Sequence, residues 1–139
     1  MIIETNSDKD TFEFGKQLGE KAEPGTVICL DGDLGTGKTV IAKGIAAGLG
    51  VKEPVSSPTF TILQEYRDGR MPLFHFDVYR IGDPEEMEEI GFFDYIYGDG
   101  VCLIEWAHLI EELIPEDAVK IIIERDEKKG DDYRRITIS

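Results

Sequence analysis

Apolar and polar positions divide the chain into segments with helical or strand periodicity. Ser7 and Asp10 have the spacing of a capping box, which predicts a helix that begins beside them and runs to about Ala22. Phe14, Leu18 and Ala22 are spaced at i, i+4 and i+8. We therefore expect these three residues to form one buried stripe along that helix.

Two continuous apolar runs predict strands that are buried on both faces. One runs from Thr26 to Asp31 and the other from Val101 to Glu105, and such runs are typical of parallel strands covered by helices. An amphipathic helix is predicted after the first run and ends at Gly50. Shorter helices are predicted over Glu85 to Ile90 and over Ala107 to Leu113.

Alternating segments predict two hairpins. Thr59 to Tyr66 and Met71 to Tyr79 are expected to pair through a two-residue turn at Asp68-Gly69, because both residue types tolerate a positive φ. Ala118 to Glu124 and Tyr133 to Ile138 form the second predicted pair. Antiparallel hairpins are thus expected beside the parallel strands of one central sheet.

Charge changes the picture of what the protein contacts. Lys and Arg total 15 and Asp and Glu total 29, so the formal net charge is −14. Such an acidic surface repels phosphate backbones and anionic lipid, which disfavours autonomous binding to nucleic acid or membranes. Twelve of the acids, and no Lys or Arg, lie between Ile81 and Val119. This acidic segment is either a solvated face that maintains solubility or a docking surface for a basic partner.

Cellular location is addressed by three further features. No run approaches the ~20 apolar residues of a membrane span, and the N-terminal residues lack the basic and apolar regions of a secretion signal. Cys29 and Cys102 lie in separate apolar runs, so we expect reduced core residues rather than a metal or redox site. Together these features favour a cytoplasmic protein.

Candidate chemistry begins with the segment Gly32 to Thr39, which fits the P-loop pattern GxxxxGK followed by Ser or Thr. An apolar strand precedes it and an amphipathic helix follows, and this context lets inward-turned N–H groups and a helix N terminus form an anion nest. Lys38 can then reach the β- and γ-phosphates of a nucleotide, and the Thr39 hydroxyl can ligate Mg²⁺. We predict a single P-loop NTPase-like domain over residues 1–139, of the α/β class, with a partly parallel central sheet and helices on both faces.

Two acids end apolar strands, and an open α/β sheet binds ligands beyond such strand ends. Asp77 ends one strand and Glu105 ends another, so both are candidates for the phosphate site. One is expected to hold Mg²⁺ through water and the other to orient the attacking water. The chain contains no guanine-specific NKxD tetrapeptide, which favours ATP over GTP.

Other polar residues leave alternatives open. Arg67, Arg70 and Arg80 are either charge stabilisers or exposed residues beside the many acids. His75 is expected to hydrogen-bond near the site rather than to form an independent metal site, because the chain holds only 2 His. Trp106 either belongs to the core or lines the site or a partner contact.

Several segments, in this order along the chain, together resemble the TsaE family, the small P-loop ATPases of bacterial tRNA threonylcarbamoyladenosine biosynthesis. They are GDLGTGKT (Gly32–Thr39), SPTFTILQEY (Ser57–Tyr66), HFDVYR (His75–Arg80), DPEEMEEIGFFDY (Asp83–Tyr95) and LIEWA (Leu103–Ala107). The resemblance implies that the protein binds Mg-ATP and hydrolyses it slowly alone. It also implies a role beside the TsaB–TsaD heterodimer, which transfers a threonylcarbamoyl group to N6 of adenosine 37 in ANN-decoding tRNAs. The protein would support that transfer without performing it, and would contact tRNA only through its partners.

The resemblance also implies roles for individual residues. Asp77 is the expected catalytic carboxylate, Thr39 and Glu105 are the expected Mg²⁺ ligands, and Trp106 is expected to be functionally important. Ser57 and Thr59 belong to a switch-like loop that senses the γ-phosphate. The expected ATP-binding residues are Leu34, Gly35, Thr36, Gly37, Lys38 and Thr39, together with Asp8 on the adenine side.

Two other functions remain open for such a chain. A P-loop small-molecule kinase would place several arginines over the phosphates, whereas the chain after Arg80 has no basic residue until Lys120. A nucleotide-dependent binding module without turnover would keep the P-loop but would function without a catalytic carboxylate.

Overall fold

The computed structural model describes residues 1–33, 35–56 and 62–139. Its strands are β1 (Ile2–Thr5), β2 (Val27–Asp31), β3 (Leu63–Tyr66), β4 (Leu73–Asp77), β5 (Val101–Glu105), β6 (Val119–Glu124) and β7 (Arg134–Ile138). Its helices are α1 (Asp8–Lys21), α2 (Lys38–Gly48), α3 (Glu85–Glu89) and α4 (Phe92–Ile96), with 3-10 helices at Ala107–Leu113 and Glu127–Lys129.

The strands of the described residues form one mixed sheet in the order β1-β7-β6-β2-β5-β4-β3. β4, β5, β2 and β6 run parallel to one another, whereas β3 pairs antiparallel with β4, and β7 pairs antiparallel with both β6 and β1. The predicted α/β class, with a partly parallel sheet and antiparallel hairpins, is therefore confirmed. β1 and α4 were not predicted, because such short segments carry too few positions to show a period.

Helices cover both faces of the sheet, which explains the continuous apolar runs of its central strands. On one face, α1 and α2 pack on the sheet with a core that includes Ile28, Leu30, Ile41, Ile45 and Leu103. On the other face, the shorter helices bury Phe76, Met87, Phe92, Ile104 and Ile110. Adjacent residues of β5 thus enter different cores, as strand geometry requires.

α1 begins and ends close to the predicted residues, but its most deeply buried residues lie beside the predicted stripe. Ser7 caps it, since the Ser7 hydroxyl accepts a hydrogen bond of 3.1 Å from the Asp10 N–H. The fully buried residues of α1 are Thr11, Gly15 and Gly19, whereas Phe14 and Leu18 are only partly buried. The predicted stripe is therefore confirmed in part, because Ala22 is buried in the core and Phe14 and Leu18 pack against it. The contact with α2, however, is formed by the glycines.

The glycines let α1 and α2 pack in parallel at very close range. A Cβ on Gly15 would lie 2.5 Å from the carbonyl oxygen of Ile41, and a Cβ on Gly19 would meet that of Ile45. Because both contacts advance by one turn in the same sense, the two helices run in the same direction. The N termini of α1 and α2 therefore lie at the same end of the molecule.

The β3–β4 hairpin is confirmed, but the predicted two-residue turn is wrong. Tyr66 pairs with Leu73, so residues 67–72 form the connection. The Asp68 carboxylate accepts hydrogen bonds from the Lys52 N–H (2.9 Å) and the Glu53 N–H (3.2 Å), which ties this loop to the segment after α2. These long-range bonds, which local turn chemistry does not report, account for the longer loop. Residues 59–61 of the predicted first strand lie outside the described residues.

Cys29 and Cys102 are buried and free, as predicted. Burial raises the pKa of each thiol to about 12, so both remain protonated at neutral pH. Within the described ranges, no helix has the length and apolar character needed to cross a membrane.

Candidate active site

Three acidic residues lie at one edge of the sheet, where parallel strands end. Asp31, Asp77 and Glu105 are the last residues of β2, β4 and β5. Asp77 is directly opposite Glu105 in the β4–β5 register, and Leu30 is opposite Glu105 in the β2–β5 register. The fold therefore brings both sequence-predicted carboxylates to the edge from which the Gly32–Thr39 segment departs.

The turn after β2 has the backbone geometry of an anion cradle. Gly35 and Gly37 adopt φ values of +79° and +99°, a region that favours glycine. The Thr36 hydroxyl donates a 2.6 Å hydrogen bond to the Asp33 carbonyl, which closes the turn. Gly37 is the N-cap of α2 and provides no side-chain cap. The first N–H groups of α2 thus point toward the turn with the positive end of the helix dipole.

Lys38 lies across this turn in a confined position. The residue is only 7% exposed, and its Nζ donates a 2.7 Å hydrogen bond to the Gly32 carbonyl. The same Nζ lies 3.7 Å from the centroid of the Trp106 ring. Burial lowers the pKa of Lys38, while the charges of Glu105 and Asp77 oppose that shift.

The Glu105 carboxylate is hydrogen-bonded to the buried His75. The Glu105 residue is 2% exposed, and its Oε2 lies 2.6 Å from Nε2 of the fully buried His75. The prediction that His75 hydrogen-bonds near the site is confirmed by this contact. Among the described residues, His75 Nδ1 has no hydrogen-bond partner. The bond fixes the orientation of a carboxylate whose charge acts on Lys38.

Asp77 is half-buried, and its carboxylate remains beside the site. Its Oδ1 accepts a 3.0 Å hydrogen bond from the Tyr79 N–H. Burial is the main cause that raises the pKa of Asp77, and the nearby Glu105 charge adds to it, while the Tyr79 N–H and Lys38 oppose it. A carboxylate with a raised pKa at a cleft is suited to proton transfer or to orienting water.

The oxygen donors at this edge fit Mg²⁺ better than a softer metal. Thr39 follows Lys38 in the first turn of α2, and the charges of Glu105 and Asp77 both act on Lys38. No group of three or more His, Cys, Asp or Glu residues forms a self-sufficient metal site within the part of the chain that the structure describes. Hydroxyl and carboxylate oxygens, completed by phosphate oxygens and water, are the donor set that Mg²⁺ prefers.

The remaining predicted site residues lie in different places. Asp8 is the first residue of α1 and is exposed, at the same end of the molecule as the N terminus of α2. Leu34, Ser57 and Thr59 lie outside the described residues, so their roles stay predictions. Trp106 directly follows Glu105 and contacts Lys38.

Two of the three candidate arginines lie away from the site. Arg67 and Arg70 precede β4 and therefore lie at the opposite edge of the sheet from Asp77. Arg67 pairs with Glu65 at 2.7 Å, and the Arg70 guanidinium donates to carbonyls at the C-terminal end of α1. Neither is arranged as a charge stabiliser, and Arg80 is exposed.

An arginine that the sequence analysis missed contacts the P-loop directly. Arg134, at the start of β7, donates a 2.6 Å hydrogen bond from Nε to the Thr36 carbonyl. Its Nη1 also donates to the carbonyls of Asp131 and Tyr133. In the sequence, the one indication of this contact is that Lys and Arg, absent from residues 81–119, occur again from Lys120 onward. The β6–β7 hairpin thus braces the turn that would surround a phosphate.

A cavity lies beside the P-loop on the side of β6. Its volume is about 450 Å³, and it is lined by Gly32, Asp33, Thr36 and residues 122–125. The guanidinium of Arg125 lies 3.8 Å from the position that a Cβ on Gly35 would occupy. The glycine-rich turn therefore borders a recess of mixed polar and apolar lining at the C-terminal end of β6.

Comparison with known proteins gives one consistent family. The family model described as "Threonylcarbamoyl adenosine biosynthesis protein TsaE" matches residues 5–136. The chain is 50% identical over 135 residues to the tRNA threonylcarbamoyladenosine biosynthesis protein TsaE of Bacillus subtilis, with 97% of this chain and 82% of that protein covered. The TsaE protein of Treponema pallidum is 41% identical, and 97% of each chain is covered.

A solved structure has the same architecture. The crystal structure of Bacillus subtilis YdiB is similar to this chain with a TM-score of 0.81 and 43% sequence identity. The similarity covers 99% of this chain and 83% of that one. The sheet and the helices that position the site are therefore shared over nearly the whole length.

Proposed function

This chain belongs to the TsaE family of threonylcarbamoyl adenosine biosynthesis proteins, and on that premise we propose that it is an ATPase subunit of tRNA modification. It binds and hydrolyses Mg-ATP to support threonylcarbamoyl transfer by a TsaB–TsaD heterodimer. That transfer modifies N6 of adenosine 37 in ANN-decoding tRNAs. The protein does not itself perform the transfer.

The observation that supports the ATPase proposal most strongly is the convergence of Lys38, Glu105 and Asp77 at one sheet edge. Each comes from a different element, and their charges act on one another. A fortuitous glycine-rich turn would have no reason to place a buried lysine against its first carbonyl and two carboxylates beside it. Phosphoryl transfer requires this combination of positioning and charge compensation.

Each residue of that edge then has a distinct role. Lys38 binds the β- and γ-phosphates while its bond to Gly32 holds it against the turn. Thr39 and Glu105 would hold Mg²⁺, which supplies charge neutralisation for the phosphates when bound. Asp77 orients the attacking water or accepts its proton.

The recess beside β6 is the region that would bind the nucleoside end of ATP. The 450 Å³ cavity continues from the P-loop toward β6, and Asp8 lies at the same end of the molecule. In the same proposal, Ser57 and Thr59 sense the γ-phosphate, and Trp106 is functionally important beside the site. ATP affinity would then depend on both the phosphate cradle and the recess beside it.

The net charge of −14 supports indirect contact with tRNA. A protein of this charge is repelled by a phosphate backbone, so partner proteins must hold the RNA. A cytoplasmic location is part of the same proposal, since the TsaB–TsaD partner and its tRNA substrate are expected there.

Purified protein should hydrolyse ATP slowly alone and distinctly faster with TsaB–TsaD, as measured by phosphate release.

Lys38→Ala should weaken binding of a non-hydrolysable ATP analogue about 10- to 100-fold, because it removes a charge-assisted bond to the phosphates. Lys43→Ala, an exposed position on the same helix, is the matched control and should bind normally.

Other outcomes would point to other functions. A phosphorylated acceptor formed in proportion to ATP consumed would identify a kinase. ATP-dependent partner binding without phosphate release would identify a binding module. Equal turnover with and without TsaB–TsaD would contradict the partner-coupled proposal.

Charge reversal on α3 tests the acidic segment as a docking surface. Glu85, Glu86, Glu88 and Glu89 are exposed, while Met87 between them is buried and holds the helix on the sheet. Changing the four to Lys should weaken TsaB–TsaD binding about tenfold or more and reduce its salt dependence. Binding is measured by titration at two ionic strengths.

The control carries the same charge change at a different place. Glu13, Glu20, Glu23 and Glu53 are exposed outside the acidic segment, and their reversal should leave partner affinity much closer to that of the native chain. If both quadruple variants bind as the native chain does, the acidic segment is a solubility feature.

A further inference from the structure

Trp106 has a backbone conformation that costs free energy. Its φ is +62°, and among the described residues it is the one non-glycine with a positive φ. Bulky residues rarely adopt this region because it is sterically unfavourable for them. The Trp106 N–H donates to the Leu30 carbonyl at 3.3 Å and its carbonyl accepts from the Leu109 N–H at 3.0 Å. The structure around β2 and β5 therefore maintains an unfavourable conformation that aims this side chain.

The Trp106 indole points toward Lys38 of the P-loop. The ring centroid lies 3.7 Å from Lys38 Nζ, well within the range of a cation–π contact. Tyr79 lies against the indole with a centroid separation of 4.7 Å. Trp106 itself is only partly buried, so core packing alone does not account for its position. The indole is instead held between Tyr79 and the lysine.

The ammonium of Lys38 is consequently restrained by two fixed groups. The Gly32 carbonyl accepts a hydrogen bond from the ammonium, and the face of the Trp106 indole lies against another side of the same ammonium. A free lysine side chain loses rotamer entropy when it is ordered. Glu105 and Asp77 both attract this charge and would draw an unrestrained ammonium toward the strand ends. The indole counters that attraction before any phosphate is present.

We propose that Trp106 is a positioning residue that holds the Lys38 ammonium against the P-loop, aimed at the β- and γ-phosphates of the nucleotide. This inference rests on the proposed function, because it concerns how the same lysine recognises ATP. The Trp106 side chain acts through Lys38 and contributes to affinity by preorganisation, since the lysine no longer has to be ordered when the nucleotide binds.

The test compares ligands that do and do not carry the phosphates that Lys38 contacts. Calorimetric titration of Trp106→Leu should show affinity for a non-hydrolysable ATP analogue weakened about 3- to 30-fold. Affinity for AMP should stay within about twofold of native. Trp106→Phe, which keeps an aromatic face, should recover most of the loss. In a Lys38→Ala background, Trp106→Leu should have no further effect.

A ligand-free measurement tests the contact itself. In the native protein, the ring current of the indole should shift the Lys38 ε-CH₂ proton resonances upfield, and Trp106→Leu should return them to ordinary values. Thermal unfolding of each variant establishes that it is folded. An unshifted Lys38 resonance in the native protein would overturn the proposal without reference to ATP.

The remaining outcomes are equally decisive. Equal losses for AMP and the ATP analogue, or an undiminished loss in the Lys38→Ala background, would make Trp106 a structural or nucleoside contact and overturn the proposal. If Lys38→Ala weakens the ATP analogue as expected but Trp106→Leu does not, this inference alone fails. If the native protein does not bind the ATP analogue, the proposed function fails with it.

Discussion

Replacing Asp77 by Asn is expected to lower ATP turnover about 10²- to 10⁴-fold, the usual contribution of a positioned acid or base, while ATP affinity stays near that of the native chain. Asn keeps the size of the side chain but loses the negative charge that orients water. Lys38, Thr39 and the P-loop backbone, which hold the phosphates in the proposed mechanism, are unchanged. Steady-state phosphate release and analogue binding, measured on the same preparation, separate these two effects.

The same variant should also be more stable at neutral pH. The pKa of Asp77 is raised, chiefly by burial and then by the Glu105 charge. For an acid with a raised folded-state pKa, the associated stability is present below the unfolded-state pKa and is lost as pH rises through the folded-state pKa. The Asp77→Asn variant avoids this cost, so its advantage in the free energy of unfolding should grow across that window and remain at pH 7.

The raised pKa predicts a matching effect on activity in the native protein. Turnover should begin to fall, on acidification, at a higher pH than an ordinary aspartate would produce, because Asp77 must be ionised to orient water. Asp99→Asn, at an exposed position outside the site, is the control and should change neither turnover nor stability appreciably. Retention of near-native turnover by Asp77→Asn would remove Asp77 from the proposed mechanism.

Adding methyl groups between α1 and α2 is expected to give the largest loss of stability. A Cβ on Gly44 would meet the Phe12 carbonyl, and one on Gly48 would meet the Lys16 carbonyl. These obstacles are backbone atoms that cannot rotate away, so the helices must separate. Gly44→Ala should cost about 1–3 kcal/mol or more from overpacking, which exceeds the gain of about 0.5–1 kcal/mol from helix propensity.

The double variant Gly44→Ala, Gly48→Ala should lose more, but less than the sum, because the first methyl already separates the helices. Urea unfolding followed by circular dichroism measures each loss. Gly82→Ala is the control, since its added Cβ would meet only the flexible Glu86 side chain at 3.4 Å. A neutral or stabilising effect of Gly44→Ala would show that the helices are less closely packed in solution.

Loss of stability at this interface should also affect the site. α2 begins at Lys38, and its N terminus carries the N–H groups of the anion cradle. Movement of α2 away from α1 would displace that end relative to Glu105 and Asp77 on the sheet. Variants that remain folded are therefore expected to bind ATP more weakly, in proportion to the displacement.

The site could be predicted where local sequence and topology carry the information. The glycine-rich turn that precedes α2 could be predicted because its glycines and the following helix are adjacent in the chain. Asp77 and Glu105 could be paired because parallel strands end at the same edge of a sheet. Arg134 could not be found, because 98 positions separate it from Thr36 and only the β6–β7 hairpin brings them together.

The prediction for α1 missed the contact with α2 for a different reason. Hydrophobic periodicity assumes that the largest apolar residues face the core, but Gly15 and Gly19 face α2 because close approach of two helices requires the absence of side chains. The prediction of a two-residue turn after β3 failed because the Asp68 carboxylate accepts hydrogen bonds from the backbone N–H groups of Lys52 and Glu53. Both failures arise where contacts between distant segments outweigh local preference.

The sequence by itself determined the α/β class, the glycine-rich turn before α2, the acidic strand ends and the excess of negative charge. These depend on residue type and short-range spacing, which the chain displays directly. Only the tertiary structure decided that Lys38 lies between the Gly32 carbonyl and the Trp106 ring, that His75 holds Glu105, and that Arg134 braces the P-loop. Such contacts join residues far apart in the chain, so they exist only after the strands have been ordered in one sheet and the helices packed against it.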